Sequence, residues 1–378
     1  MRFLIQIVLA WVVAYWLLSR LPIQTSWSTT PSLQQQDQPT LPSDIELWWL
    51  ETQLVESVAM TEPSVVSILA SREIEQYQQS PFGGFFGLTP NSNWSDTVLR
   101  QVWWGSWVLI NNDWYILTNR HVVEDEDLTY EAVFADWRIL SVTNIWQDPV
   151  IDLAIVKVEP DDNLPSPARF APRNRSVALW QFTYAIGNAL AEYQNSVTLG
   201  IISGKDRKIQ TMSQDLYVWL YQTDTSISMG NSWWPLYTLD WSVIWINTAV
   251  SAVGENIGFA IPVSEELIQA TLATIDQNWS VVRPFVWVQY IDINPLLAAQ
   301  RDLDVMQWVS IEDIVSWSGA DQGWLQSWDI ITAINWLPIN EDTPFLYQLF
   351  SYVPWESINV TFIRDWFERT TQIELGRQ

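Results

Sequence analysis

The chain contains no cysteine and a single histidine, His121, among 378 residues. The first absence excludes disulfides, thiol nucleophiles and thiolate metal sites, and the second leaves too few imidazole nitrogens for a typical zinc site. Any hydrolytic chemistry is therefore expected to run without a metal or other cofactor. Basic residues are scarce too: 18 Lys and Arg stand against 43 Asp and Glu, for a formal net charge of −25. The acidic residues are spread along the chain, which opposes binding to a phosphate backbone and argues against nucleic acid as a partner. Glycine is also short. Thirteen glycines accompany 27 tryptophans, whereas glycine averages about 7% of residues, or roughly 26 in a chain of this length. The deficit of one and the excess of the other are complementary.

The length suffices for two or three domains with cores of their own. Residues 3–18, FLIQIVLAWVVAYWLL, form an apolar run behind Arg2. It is longer than a usual signal-peptide core and slightly short of a comfortable membrane span, and Leu21 to Ile23 could extend it. No small-x-small cleavage site follows in SRLPIQTSW. Residues 1–21 are thus expected to be an uncleaved anchor in preference to a removed signal, and in either case the bulk of the chain is exported. Residues 22–45, rich in Ser, Thr, Gln and Pro, have the composition of a flexible linker.

Beyond the linker, IELWWLETQLVESVAM (45–60) has helical spacing, and PSVVSILA (63–70) opens a series of short β-branched strands. Strand signals recur through position 262 in WVLI, WYILT, LAIVKV, TLGIIS, VIWINT and FAIP, a pattern that predicts a mostly β, antiparallel barrel pair. The segment 76–96, carrying Phe82, Phe85 and Phe86, interrupts it. Its length and aromatics fit either contacts with another subunit or domain, or exposed side chains in a disordered loop. SEELIQATLATI (264–275) reads as an amphipathic helix with Leu267, Ile268, Leu272 and Ile275 on one face, closing a domain over 46–276. From 279 the pattern restarts with RPFVWVQY, VSIEDIV, a turn-rich stretch, a helix near 343–352 and the strand SINVTFIRD, which predicts a second, α+β domain over 279–376.

Three segments carry chemistry. His121 sits in YILTNRHVV, Asp152 in DPVIDLAIVKV, and Ser232 in TDTSISMGNSWWPL. The order His, Asp, Ser is the chymotrypsin-type order. A serine hydroxyl is a poor nucleophile until an imidazole takes its proton, and the imidazole needs a buried carboxylate to fix its tautomer and stabilise its charge. Asp148 is a second acid in the same segment, but it precedes a proline, where an Asx-type turn is the ordinary explanation. Thr225, Ser226, Ile227 and Ser228, ahead of the serine, offer no carboxylate for a basic substrate side chain.

These segments resemble the HtrA/DegP family of trypsin-like serine proteases, and residues 279–376 resemble a PDZ domain of the HtrA type; the likeness runs from about 45 to 376. It implies a chymotrypsin-like double β-barrel followed by a PDZ domain, with His121, Asp152 of the DLA motif and Ser232 as the catalytic residues. Gly230, Asn231 and Ser232 would supply the oxyanion-hole N–H groups. Ile227 with Asn247, Thr248 and Ala249 of INTAV would line a small apolar S1 pocket suited to Val or Ala. Phe285, Val286, Trp287 and Val288 would receive a peptide carboxylate, and Leu346, Leu349 and Phe350 its last side chain. The resemblance further implies a homotrimer built through the protease domains, tethered to a membrane, that degrades misfolded or unfolded extracytoplasmic proteins. A proteolytically inactive peptide-binding scaffold is the rival reading, and the intact His121, Asp152 and Ser232 count against it.

The chain departs from the family where tryptophan replaces glycine, among them at Trp107, Trp114, Trp233, Trp234, Trp241, Trp245, Trp324 and Trp328. These are read as turn positions, which want a residue that tolerates positive φ; glycine is suited to this and tryptophan is poor. The expectation is that the source organism reads UGA as glycine, and that tryptophan comes from translation with a code that reads it otherwise.

Overall fold

The computed structural model describes residues 44–75, 97–189, 193–210, 216–226, 234–250, 257–293, 297–299 and 308–377. The apolar run 3–18, most of the linker, the 76–96 segment and residues 227–233, which include Ser232, lie outside the described residues. Among the described residues no helix is long and apolar enough to cross a membrane. The chain divides into two compact units, residues 1–51 and residues 52–378. Helix α1 (Asp44–Thr61) begins in the first; everything below concerns the second.

Strands β1 (Val65–Glu75), β2 (Thr97–Leu109), β3 (Tyr115–Thr118), β4 (Thr129–Val133), β5 (Ile139–Gln147) and β6 (Ala154–Val158) close into a barrel in the order β1-β2-β3-β6-β5-β4. Successive side chains of a strand point to opposite faces, and here both faces are buried. Val66, Ile68, Ala70, Ile116 and Val156 fill the barrel interior, while Val65, Leu117 and Ile155 face a second, larger core. That explains why β1 reads as a continuous apolar run at VVSILA instead of an alternation.

A seven-stranded sheet follows, built from β7 (Arg169–Phe170), β8 (Phe182–Ala189), β9 (Tyr193–Gln210), β10 (Leu216–Thr223), β11 (Pro235–Thr238), β12 (Ser242–Val250) and β13 (Gly258–Pro262). Its strand order is β11-β8-β9-β10-β13-β12-β7, and β11 also pairs with β12, so six of these strands form a closed ring. Helix α2 (Glu265–Asn278) then packs Leu267, Ile268 and Ile275 into the larger core, with Leu272 partly buried beside them. Ser264 caps it by accepting from the Leu267 N–H.

The C-terminal lobe is a six-stranded sheet of β15 (Val288–Asp292), β16 (Val309–Ile314), β17 (Ile330–Ile334), β18 (Leu337–Pro338), β19 (Ser357–Arg364) and β20 (Phe367–Glu374), ordered β15-β16-β17-β19-β20 with β18 on β17. Short helices α3 (Gly319–Gln322) and α4 (Phe345–Leu349) accompany it, and β14 (Pro284–Phe285) pairs with β21 (Gly376–Arg377). Val286, Val288, Ile311, Ile331, Leu349, Ile358 and Val360 belong to its core.

Tryptophan occupies conformations it rarely adopts. Sixteen described non-glycine residues have positive φ; thirteen are tryptophans, and the others are Asp206, Asn335 and Asp365. Trp114, Trp241, Trp324 and Trp328 are in this group, with φ of 64°, 70°, 62° and 76°. Trp317, Trp324, Trp366 and Trp336 are also 75–87% exposed, which is unusual for so large an apolar side chain. Trp107 and Trp245 correct the expectation that all of these are turn positions: they lie within β2 and β12 and are almost fully buried. Trp234 is buried as well, and the indole N–H groups of Trp107 and Trp234 have no hydrogen-bond partner among the described residues. Trp234 fits only because residue 187 is glycine; a Cβ there would stand 2.2 Å from the indole.

Candidate active site

β3 and β6 pair antiparallel with Thr118 opposite Ala154. That register brings the residues just beyond their ends together: the 3-10 turn Arg120–Val122 on one side and the turn holding Asp152 on the other. His121 Nδ1 lies 2.7 Å from Asp152 Oδ2 and 2.9 Å from Oδ1, and the His121 backbone N–H donates to Oδ1 at 3.1 Å. The Asp152 side chain is fully buried, while the imidazole keeps 36% of its surface exposed. Two further donors converge on the carboxylate. Thr248 Oγ1 donates to Oδ2 at 2.6 Å and Asn119 Nδ2 at 3.1 Å. Burial alone would raise the Asp152 carboxyl, but hydrogen bonds from His121 and Thr248 and the imidazole's charge hold it below the usual carboxylate range.

Asp148 has other partners. Its Oδ1 accepts from the Val150 and Ile151 N–H groups at 2.9 and 3.1 Å, the Asx-type turn expected ahead of a proline. Its Oδ2 is gripped by the Arg283 guanidinium through Nη2 and, at 2.7 Å, Nε. Both side chains are 2% exposed.

The two ends of the serine-bearing segment are pinned. Upstream, Thr225 Oγ1 bonds Thr223 Oγ1 at 2.8 Å and Thr183 Oγ1 at 3.2 Å, and Asp224 Oδ1 accepts from the Ile201 N–H at 2.7 Å. Downstream, the Trp234 carbonyl accepts from both the backbone N–H and the Nδ2 of Asn247, at 3.2 and 2.7 Å. Asn247 and Thr248 were expected at the wall of an S1 pocket. Their polar atoms hold the end of the serine segment and the Asp152 carboxylate. Ala249 pairs with Phe259 across β12 and β13. Ile227, Gly230, Asn231 and Ser232 lie outside the described residues.

The model of the trypsin-like peptidase domain matches residues 105–244, which hold both His121 and Asp152. The serine protease HhoA of Synechocystis sp. is 30% identical over 311 residues, covering 77% of this chain and 76% of its own. The chain belongs to the HtrA/DegP family of serine proteases. A DegP-like periplasmic serine endoprotease of Hahella chejuensis is 28% identical over 336 residues, with 85% and 69% covered. That of Chlamydia pneumoniae is 33% identical over 255 residues, with 67% and 50% covered, so the chain spans half to three quarters of these relatives. In fold it is similar to the HtrA-type protease AlgW with decapeptide: TM-score 0.59, 24% identity, 86% of this chain and 98% of that one.

In this HtrA/DegP member the residues expected to bind a peptide are divided. Trp287 is 37% exposed with φ 61°, and Phe285 is half-buried, its ring edge-on to the indole at 5.1 Å. Val286, Val288 and Leu349 lie in the core of the C-terminal lobe, and Phe350 lies in the larger core beneath the Arg283 guanidinium. Leu349 and Phe350 are buried, and Leu346 alone on the helix stays partly open. Sequence reasoning missed Asn119 and Arg283. Nothing in TNRH marks its asparagine as a partner of the carboxylate, and nothing in RPFVWVQY marks its arginine as buried.

Proposed function

We propose that the chain is an exported serine endopeptidase in which Ser232 attacks the scissile carbonyl, His121 accepts and returns its proton, and Asp152 orients the imidazole. The observation that carries this reading is the bond from His121 Nδ1 to a fully buried carboxylate that lacks any other cation among the described residues. Nδ1 then carries the proton, and Nε2 is the basic nitrogen available to a serine hydroxyl. As Ser232 Oγ bonds to carbon, its proton moves to Nε2, and the imidazolium later donates it to the departing amine while water completes hydrolysis. The N–H groups of Gly230, Asn231 and Ser232 would stabilise the oxyanion, worth roughly 3 kcal/mol per donor in comparable sites. With no carboxylate at 225–228, the S1 pocket, including Ile227, would prefer small apolar residues.

The C-terminal lobe reads as a PDZ domain that binds C-terminal peptides by strand addition beside β15, with the loop 285–288 near the carboxylate and Leu346 on the side-chain pocket. The decapeptide held by the similarly folded AlgW supports this ligand class. The periplasmic relatives support export. Membrane tethering through residues 1–21, a homotrimer, and misfolded extracytoplasmic proteins as substrates complete the proposal. The protein as synthesised would carry glycine at the tryptophan positions given above.

The test is the full chain, made with glycine at those positions, against unfolded casein. Ser232→Ala should abolish cleavage and leave folding and peptide binding intact, since the change removes only the attacking hydroxyl. Cleavage that survives Ser232→Ala removes the assignment, and no cleavage by the parent favours the inactive scaffold.

A further inference from the structure

Asp152 has more ties than a carboxylate needs to face one imidazole. Asn119 is fully buried, and its Nδ2 donates to two atoms of the same residue: the Asp152 backbone carbonyl at 3.2 Å and the Asp152 Oδ2 at 3.1 Å. We propose that Asn119 is a positioning residue that locks the Asp152 carboxylate against its own backbone, so that the imidazole stays aimed at the nucleophile.

The geometry argues for a clamp and against a generic loop tie. A donor shared between the carbonyl and carboxylate of one residue opposes rotation of that side chain relative to its main chain. The other two ties come from different directions: Thr248 from β12, in the second sheet, and the His121 backbone N–H from its own turn. Without Asn119, Oδ2 keeps only the Thr248 hydroxyl and the imidazole it is meant to hold. The amide has one sensible orientation, because a flip would set its oxygen against a buried carboxylate. That orientation leaves Asn119 Oδ1 buried without a partner among the described residues, a cost that an apolar side chain of the same size would not carry.

Arg120 and Asp148 have partners of their own. Arg120, the chain neighbour of His121, donates to the Asp148 carbonyl at 3.0 Å, and the Asp148 carboxylate is paired with Arg283. Asp152 is bonded to the ring through Nδ1, so a change in its hydrogen bonding reads out on the imidazole.

The inference rests on the roles proposed for His121 and Asp152, and its test is chosen to fail separately from them. Asn119→Leu keeps the size and removes the donor; Asn119→Ser keeps a shorter donor. In the full chain, Asn119→Leu should lower kcat about tenfold to a hundredfold, the usual range for misplaced catalytic geometry, with KM within about twofold. The acid limb of the kcat/KM profile should move to higher pH, because a carboxylate with fewer donors stabilises the imidazolium more. Asn119→Ser should recover part of both effects. His121 is the sole histidine, so its titration can be followed by NMR in the Ser232→Ala background, where no activity is needed; the same upward shift is expected. An unshifted His121 titration, or a kcat loss that only follows the folded fraction, overturns the proposal. Should Asn119→Leu fail to fold, the His121 titration in Asn119→Ser decides by the same criterion. An inactive parent with a shifted titration would fail the protease reading and leave the clamp standing.

Discussion

Asp148 and Asp152 are both buried, at 1% and 0% exposure, and stand four residues apart, yet the chain gives them unlike partners. Asp152 meets an imidazole and three further donors; Asp148 meets a guanidinium and two backbone N–H groups. Of the two, Asp152 is the one bonded to the imidazole. Asp152→Asn should cut kcat by about 10⁴-fold through the wrong imidazole tautomer, as the equivalent change does in this catalytic class. Asp148→Asn should leave the kcat of folded protein within a few-fold, and the reverse outcome in paired assays would move the acid's role to Asp148. The distinction was legible in the sequence, because a proline follows Asp148 and a strand follows Asp152. The part played by Asn119 was not, since it depends on Thr118 facing Ala154 across two strands far apart in the chain.

At the scale of elements, Arg283 ties the segment after α2 to the turn before β6 and to the end of α4. Its guanidinium bonds Asp148, Thr271 Oγ1 at 3.0 Å and the Phe350 carbonyl at 3.3 Å. Removing one member of such a pair leaves a buried charge uncompensated, which typically costs about 3–5 kcal/mol. Arg283→Met should therefore lower the stability measured by urea unfolding by about that much, and Arg283→Met with Asp148→Leu should recover most of it. A single variant within about 1 kcal/mol of the parent would mean that water reaches Asp148. The strands and α2 were legible from their apolar periods. RPFVWVQY folds as two pieces, β14 and β15, with partners in different sheets. The break falls at Trp287, whose φ of 61° no extended strand accommodates.

Across the whole molecule, the tryptophans set the most demanding test. A non-glycine residue held in the left-handed region costs of order 1–3 kcal/mol, and thirteen described tryptophans are held there. A domain's stability of ~5–15 kcal/mol does not cover that number of strained sites. Glycine removes the strain at each one, and it also removes the buried indole N–H groups at 107 and 234, which have no partner among the described residues. The turn positions were legible from NNDW and LDW; the strand positions 107 and 245 were not, because nothing local separates a buried strand tryptophan from an ordinary core aromatic. The expected outcome is glycine at 107, 114, 233, 234, 241, 245, 324 and 328 in protein isolated from its source, with UGA at each codon. The intact mass then falls below that of a chain with 27 tryptophans by one Trp-to-Gly difference per site. UGG codons at these positions, or a mass that retains every indole, would sink the idea. Trp233 and Trp234 would then crowd the chain beside Ser232, and the inactive peptide-binding scaffold would become the better reading.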